Sequence, residues 1–295
     1  MLTSLLVAAR IVSNPVSNVF QKQLAHRGVH PIAVIASAHL LLSLLAVPWL
    51  LGTREHPTSP TFWGDLLLCA ALAVASNVLL VYALRAADLS LLGPINAYKA
   101  VLSLGLGAVV LGEIPTVWGL AGVGLILVGS YRLSDPAPTS GSGGTRLLRL
   151  WENRGVQLRV AALVLSATEA VFLKRALHAA SPSFTLAAWA VAGLPFLALA
   201  SVMWVRTSIP AEITALRSSF PTCLALAATT GLMQGTTLFT FERLPVGYSL
   251  ALFQTSALLT VLLGHRLFRE GQVGRRLTGC VLMVIGAGLI VVRGR

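Results

Sequence analysis

Long apolar runs separated by short polar breaks make up nearly the whole chain. Ten runs can be marked, at about 3–24, 31–51, 63–84, 89–111, 115–133, 158–178, 184–205, 220–241, 246–268 and 272–292. Each is close to the roughly 20 residues that a helix needs to cross about 30 Å of hydrocarbon. The pattern therefore predicts an all-α, polytopic membrane protein with ten transmembrane helices. The longest break, 134–157, holds Asp135-Pro136-Ala137-Pro138 and then Ser140-Gly141-Ser142-Gly143-Gly144, a composition typical of linkers. The expected organisation is a five-helix unit over 1–133, a flexible linker over 134–157 and a second five-helix unit over 158–295.

The two units repeat one another. Asp88 to Glu113 maps onto Pro245 to Glu270 at an offset of 157, and the same offset relates Asn77 to Gln234, Gly122 to Gly279 and Gly129 to Gly286. In the first helix of each unit the offset is 152, placing Lys22 on Lys174 and His26 on His178. A constant offset across polar and glycine positions marks an internal duplication. Five helices per unit is an odd number, so the second copy enters the membrane the other way up. Inverted repeats of this kind are a transporter architecture, with solute sites near the midplane.

Polar residues inside the apolar runs carry the candidate chemistry. Lys99 lies near the middle of 89–111, where an ammonium must be paired or hydrated and is too deep to reach the headgroups. Asn96, Lys99 and Ser103 share one helical stripe, and Tyr98 stands beside them. In the first run Arg10, Asn14, Ser17 and Gln21 also share a face, and Pro15 within that helix frees a backbone carbonyl. Glu169 is central in the sixth run. It either partners Lys99 or Arg10 or binds a proton. The paired amides Asn77 and Gln234 serve either as helix glue or as ligand groups. Ser256 is a further substrate-binding candidate, with His39, Tyr82, Trp189, Tyr248, Gln254 and Thr260 secondary. Glu113 and Glu270 each precede a helix and read as N-terminal caps, with Pro115 as a first-turn proline.

Composition narrows the class. Hydrophobic residues make up 56% and charged residues 11% of 295 residues, with a mean hydropathy of +0.81, far from soluble usage. The net charge of +12 comes from scattered basic residues with no continuous patch, so nucleic acid is not an expected partner. Lys and Arg number 14 on the side of the linker and 6 on the side of both termini, which by the positive-inside rule makes the linker cytoplasmic. No basic region precedes the first run and Arg10 interrupts it, so no cleaved signal peptide is expected. Cys69, Cys223 and Cys280 lack metal or redox spacing and read as packing residues. No nucleophile motif, paired carboxylates, phosphate-binding glycine loop or metal ligand set is present in the sequence, so neither an enzyme nor a cofactor is expected.

Leu84 to Glu113 with its Pro94 and terminal Gly112-Glu113, followed by the glycine-spaced Gly119 to Gly129 and repeated over Glu242 to Gly286, resembles the EamA family of the drug/metabolite transporter superfamily. The resemblance covers nearly the whole chain. It implies ten helices in inverted repeats, alternating-access transport of small metabolites, and cytoplasmic termini, opposite to the charge count. More distantly the chain resembles the triose-phosphate and nucleotide-sugar transporters, which handle anionic substrates.

The expected function is secondary transport of a small anionic or zwitterionic metabolite held by Lys99, with Asn96 and Arg10. The partners are that solute and membrane lipid, in a monomer or homodimer of a bacterial inner membrane. Two alternatives remain open at this stage: proton-coupled export of a cationic or amphipathic compound through Glu169, and flipping of a lipid-linked phosphate.

Overall fold

The computed structural model describes residues 2–87, 92, 95, 98–133, 152–204, 209–268 and 277–293. Among these residues every regular element is helical: α1 (Leu2–His26), α2 (Pro31–Gly52), α3 (Pro60–Ala86), α4 (Tyr98–Leu111), α5 (Val117–Leu133), α6 (Arg154–Ala176), α7 (Pro182–Trp204), α8 (Ile209–Ser218), α9 (Phe220–Phe241), α10 (Val246–Gln254), α11 (Ala257–Phe268) and α12 (Leu277–Arg293). By length and composition α2, α3, α6 and α7 can cross a membrane, and α4 and parts of α5 and α12 are shorter apolar helices. The outer surface carries large apolar side chains, with Val109, Ile114 and Val202 each more than 80% exposed. Such a surface is unstable in water and suits hydrocarbon.

Local sequence sets the helix ends. α2, α3 and α7 open on Pro31, Pro60 and Pro182, where the missing N–H costs nothing because first-turn N–H groups have no intrahelical partner. Asn153 caps α6, its side chain accepting from Gly155 N at 2.8 Å. Gly28 and Gly112, with φ of 86° and 70°, take the left-handed turns after α1 and α4. α1 continues through Pro15 to His26.

Two elements depart from the sequence pattern. The ninth run, expected as one helix over 246–268, is split between α10 and α11. At the break the N–H groups of Thr255, Ser256 and Leu258 bond three residues back, and Thr255 Oγ1 bonds Leu252 O at 2.7 Å, so side-chain competition tightens the turn. The connection after α7 contains an additional helix, α8, whose Glu212 and Arg217 kept it out of the apolar pattern.

The N-terminal and C-terminal parts of the chain interlock. α3 packs on α6, α1 on α9, α2 on α7, α4 on α10 and α5 on α12. Glu55, in the α2–α3 connection, accepts from the N–H of Ser181 at 2.6 Å, immediately before α7. Glu212 accepts from the N–H of His30 at 3.1 Å, immediately before α2. Each acid thus satisfies a free donor at the positive end of a helix in the other part of the chain. Asp65 on α3 pairs with Arg175 on α6.

Where α5 meets α12 the backbones touch. A Cβ at Gly122 would lie 2.7 Å from the Gly286 carbonyl oxygen, and one at Gly286 would lie 2.6 Å from that of Gly122. Only glycine permits this approach. Glu113, predicted to cap the helix that follows it, instead caps α10: its Oε2 accepts from Val246 N at 2.8 Å, and its other oxygen pairs with Lys174. Glu270 lies outside the described residues.

Candidate functional site

A cavity of about 110 Å³ lies between α1, α2, α3, α4, α6, α7 and α9. At about 30 Å³ each, that is room for about four waters. α1 contributes Arg10, Asn14, Asn18 and Gln21, spaced three or four residues apart along one face. α6 contributes Arg159, Ser166 and Glu169, α4 Lys99, α3 Asn77, α9 Gln234 and Thr237, and α2 and α7 contribute His39 and Trp189.

Several of these side chains are held from outside the cavity, which fixes what they present to it. Arg10 Nε donates to Thr237 Oγ1 at 2.7 Å, and its guanidinium lies 4.9 Å from the centre of the Phe253 ring. Asn77 donates its amide hydrogen back to Ala73 O at 2.8 Å, leaving its oxygen for the cavity. His39 Nδ1 lies 2.9 Å from Ala190 O. A carbonyl only accepts, so Nδ1 carries the hydrogen. The ring packs on Trp189 with centroids 4.6 Å apart.

Among the described residues, five buried polar atoms of the lining have no hydrogen-bond partner: Arg10 Nη1, Arg159 Nε, Trp189 Nε1, Gln234 Nε2 and Gln21 Oε1. Four are donors and one is an acceptor. Charge follows the same sense. Glu169 acts electrostatically on both Lys99 and Arg10 and faces the Gln234 amide, while Lys99 also feels Arg159. Arg10, Lys99 and Arg159 against Glu169 leave two net positive charges around one small volume. The arrangement can bind acceptor-rich, negatively charged groups, and it offers no nucleophile with an adjacent base.

Of the residues singled out in the sequence, Arg10, Asn14, Asn77, Lys99, Glu169 and Gln234 come together here. Tyr98 does not: it is 52% exposed, because a step of one residue turns a helix side chain by about 100° and Lys99 takes the inward direction. Ser256 is buried but outside the lining, bonded to Asn14 Nδ2 at 3.3 Å. Asn96 lies outside the described residues. Ser103 bonds Ala167 O at 3.3 Å and locks α4 to α6.

Arg159 is the main addition. Its position near the start of α6, after Arg146, Arg149 and Arg154, makes it look like one more loop cation, yet it is 8% exposed and faces inward. Arg159, Ser166 and Leu173 follow one another at intervals of seven residues, which was the signal for a shared face.

No curated protein matches the chain. One solved crystal structure superposes with a TM-score of 0.67, covering 98% of each chain at 17% identity, which shows a shared fold. The model of the EamA-like transporter family matches residues 2–134. Over those residues the chain is similar to the EamA-like transporter family, and its long apolar helices are those of an integral membrane protein.

Proposed function

We propose that the protein is a secondary active transporter in which two inverted five-helix repeats, 1–133 and 158–295, joined by 134–157, enclose a site for a small anionic or zwitterionic metabolite. The carrying observation is the set of buried donors on Arg10, Arg159 and Trp189 that have no partner among the described residues, around the cavity that Lys99 also lines. Buried donors without partners are costly. A ligand rich in acceptors removes that cost.

The reciprocal contacts support the inversion. Gly122 and Gly129 correspond to Gly279 and Gly286, and the touching pairs are Gly122 with Gly286 and Gly129 with Gly279. Glu55 and Glu212, also 157 apart, each cap the second helix of the other repeat. Contacts in which residue i meets j' and j meets i' belong to a two-fold axis. The site itself departs from the symmetry: at the repeat offsets Arg10, Arg159, Lys99 and Glu169 fall on Ala162, Val7, Ser256 and Ser17. A duplicated scaffold therefore carries a one-way-round site, which suits a solute bound in a single orientation.

In this scheme Lys99 and Arg10 hold the anionic group, and Glu169 neutralises them when the site is empty or carries a coupled proton. Alternating access exposes the cavity to each side in turn. Three cations against one acid weigh against export of a cationic compound. Counterflow in proteoliposomes tests the proposal with small carboxylates, phosphates, amino acids and amines as solutes. Anionic or zwitterionic solutes should exchange, and Lys99→Gln should cut exchange at least tenfold while the protein stays monodisperse. A Lys99→Gln protein that exchanges as wild type, or a preference for amines, overturns it.

A further inference from the structure

Arg159 stands apart from the other charges of the cavity. Arg10 and Lys99 share the field of Glu169, whereas among the described residues no acid acts on Arg159. Along α6 it lies ten residues before Glu169, about 15 Å in rise. Both remain on the lined face of the helix, together with Ser166 between them. The lined stretch of α6 therefore runs from Arg159 to Glu169, and Lys99 lies within the fields of both. A guanidinium taken out of water without a counter-charge is strongly destabilising. Arg159 is 8% exposed and its Nε has no partner among the described residues, so a bound anion would supply the missing counter-charge.

The geometry points to two anion subsites in one cavity, Arg159 forming the second, so that the solute is a compact dianion with its two anionic groups at opposite ends. The inference rests on the transporter reading above and narrows its substrate class from anion to dianion. Glu169 moderates the subsite at Arg10 and Lys99, leaving that end able to release its group. Among the described residues no acid moderates the subsite at Arg159. A monoanion fills one subsite and leaves the other guanidinium uncompensated, so the second charge of the ligand should matter far more than its polarity alone.

Succinate and succinamate separate these possibilities, because they differ little in shape and by one charge. With the full chain in nanodiscs, succinate should bind at least tenfold tighter than succinamate. Arg159→Gln should erase that difference by weakening succinate far more than succinamate, with an unchanged thermal midpoint showing that the variant is folded. Arg159→Lys should keep most of the difference, and Lys99→Gln should weaken both ligands. If Arg159→Gln keeps the wild-type ratio while Lys99→Gln loses binding, the second subsite is wrong and the anion transporter stands. If the wild type favours succinamate or does not distinguish the two, the dianion assignment fails. If neither succinate, glutarate nor phosphoglycolate binds, and no monoanion does, the anionic reading falls and this inference with it.

Discussion

Glu113 and Val246 join the two parts of the chain through a single hydrogen bond, the carboxylate of the first accepting from the backbone N–H of the second at 2.8 Å. The same carboxylate pairs with Lys174, whose ammonium also donates to Leu244 O at 2.6 Å. One acid therefore ties the end of α4 to the end of α6 and the start of α10. Both side chains of the ion pair are less than a fifth exposed, so removing one partner leaves a poorly solvated charge. Glu113→Ala should cost about 3 kcal/mol, towards the low end for breaking a buried pair. Glu113→Gln, which keeps an acceptor for Val246, should cost less. Thermal unfolding of the purified protein orders the two variants, and adding Lys174→Met should recover part of the loss in Glu113→Ala, since no ammonium then remains unpaired.

Contact between α5 and α12 depends on the absence of side chains at two facing positions. Gly286→Ala would place a methyl 2.6 Å from the Gly122 carbonyl oxygen and 3.0 Å from the Ile126 nitrogen, both backbone atoms that cannot rotate away. The helices must separate, at about 1–3 kcal/mol. Gly288→Ala, two residues along the same helix, meets nothing within 4 Å and should be neutral or slightly stabilising, because alanine is the better helix former. Equal thermal midpoints for the two variants would show that α5 and α12 do not pack in this way.

Lys99 and Glu169 were legible in the sequence because each is a lone charge in the middle of an apolar run, where depth alone forces it inward. Arg10 was legible through its stripe with Asn14 and Gln21. Arg159 was hidden among neighbouring arginines, since charge near a helix start does not say whether the side chain turns to water or to the core. The chemistry of Glu113 was readable and its partner was not. Its role as an N-terminal cap follows from residue type, but which helix receives the cap is decided by tertiary packing. The split between α10 and α11 escaped for a related reason. Thr255 and Ser256 are compatible with either a continuous apolar helix or a broken one, and the choice depends on bonds such as that from Asn14 to Ser256.

His30 should make stability sensitive to acid. Its Nδ1 accepts from Ile32 N at 3.3 Å as the cap of α2, and its Nε2 lies 3.2 Å from the Tyr82 hydroxyl. Burial lowers its pKa below the ordinary 6.5; nearby Glu212 opposes this and Arg85 adds to it. The folded state thus binds the proton less readily than the unfolded chain. The stabilisation is complete above about pH 6.5 and fades as the pH falls through the lowered folded value. His30→Asn supplies a cap that does not titrate. Between pH 7.5 and 5 the wild type should lose more of its thermal midpoint than His30→Asn, and parallel curves would remove His30 from the acid response.

Glu55 and Glu212 cap helices at opposite ends of the bundle if the repeats are inverted, one beside Ser181 and the other beside His30. Opening either end in turn requires breaking the cap at that end and keeping the other. The two substitutions should then act in opposite senses. Glu55→Ala weakens closure near Ser181, so a cysteine at Asn77 in the cavity wall, in a background with Cys69, Cys223 and Cys280 replaced, should react faster with an impermeant thiol reagent added from that side. Glu212→Ala should raise the rate from the side of His30 and lower it from the other. Right-side-out and inverted vesicles give the two rates separately. Rates that rise together from both sides would mean that each acid merely stabilises the bundle, whereas opposite changes would tie each cap to one gate of the cavity.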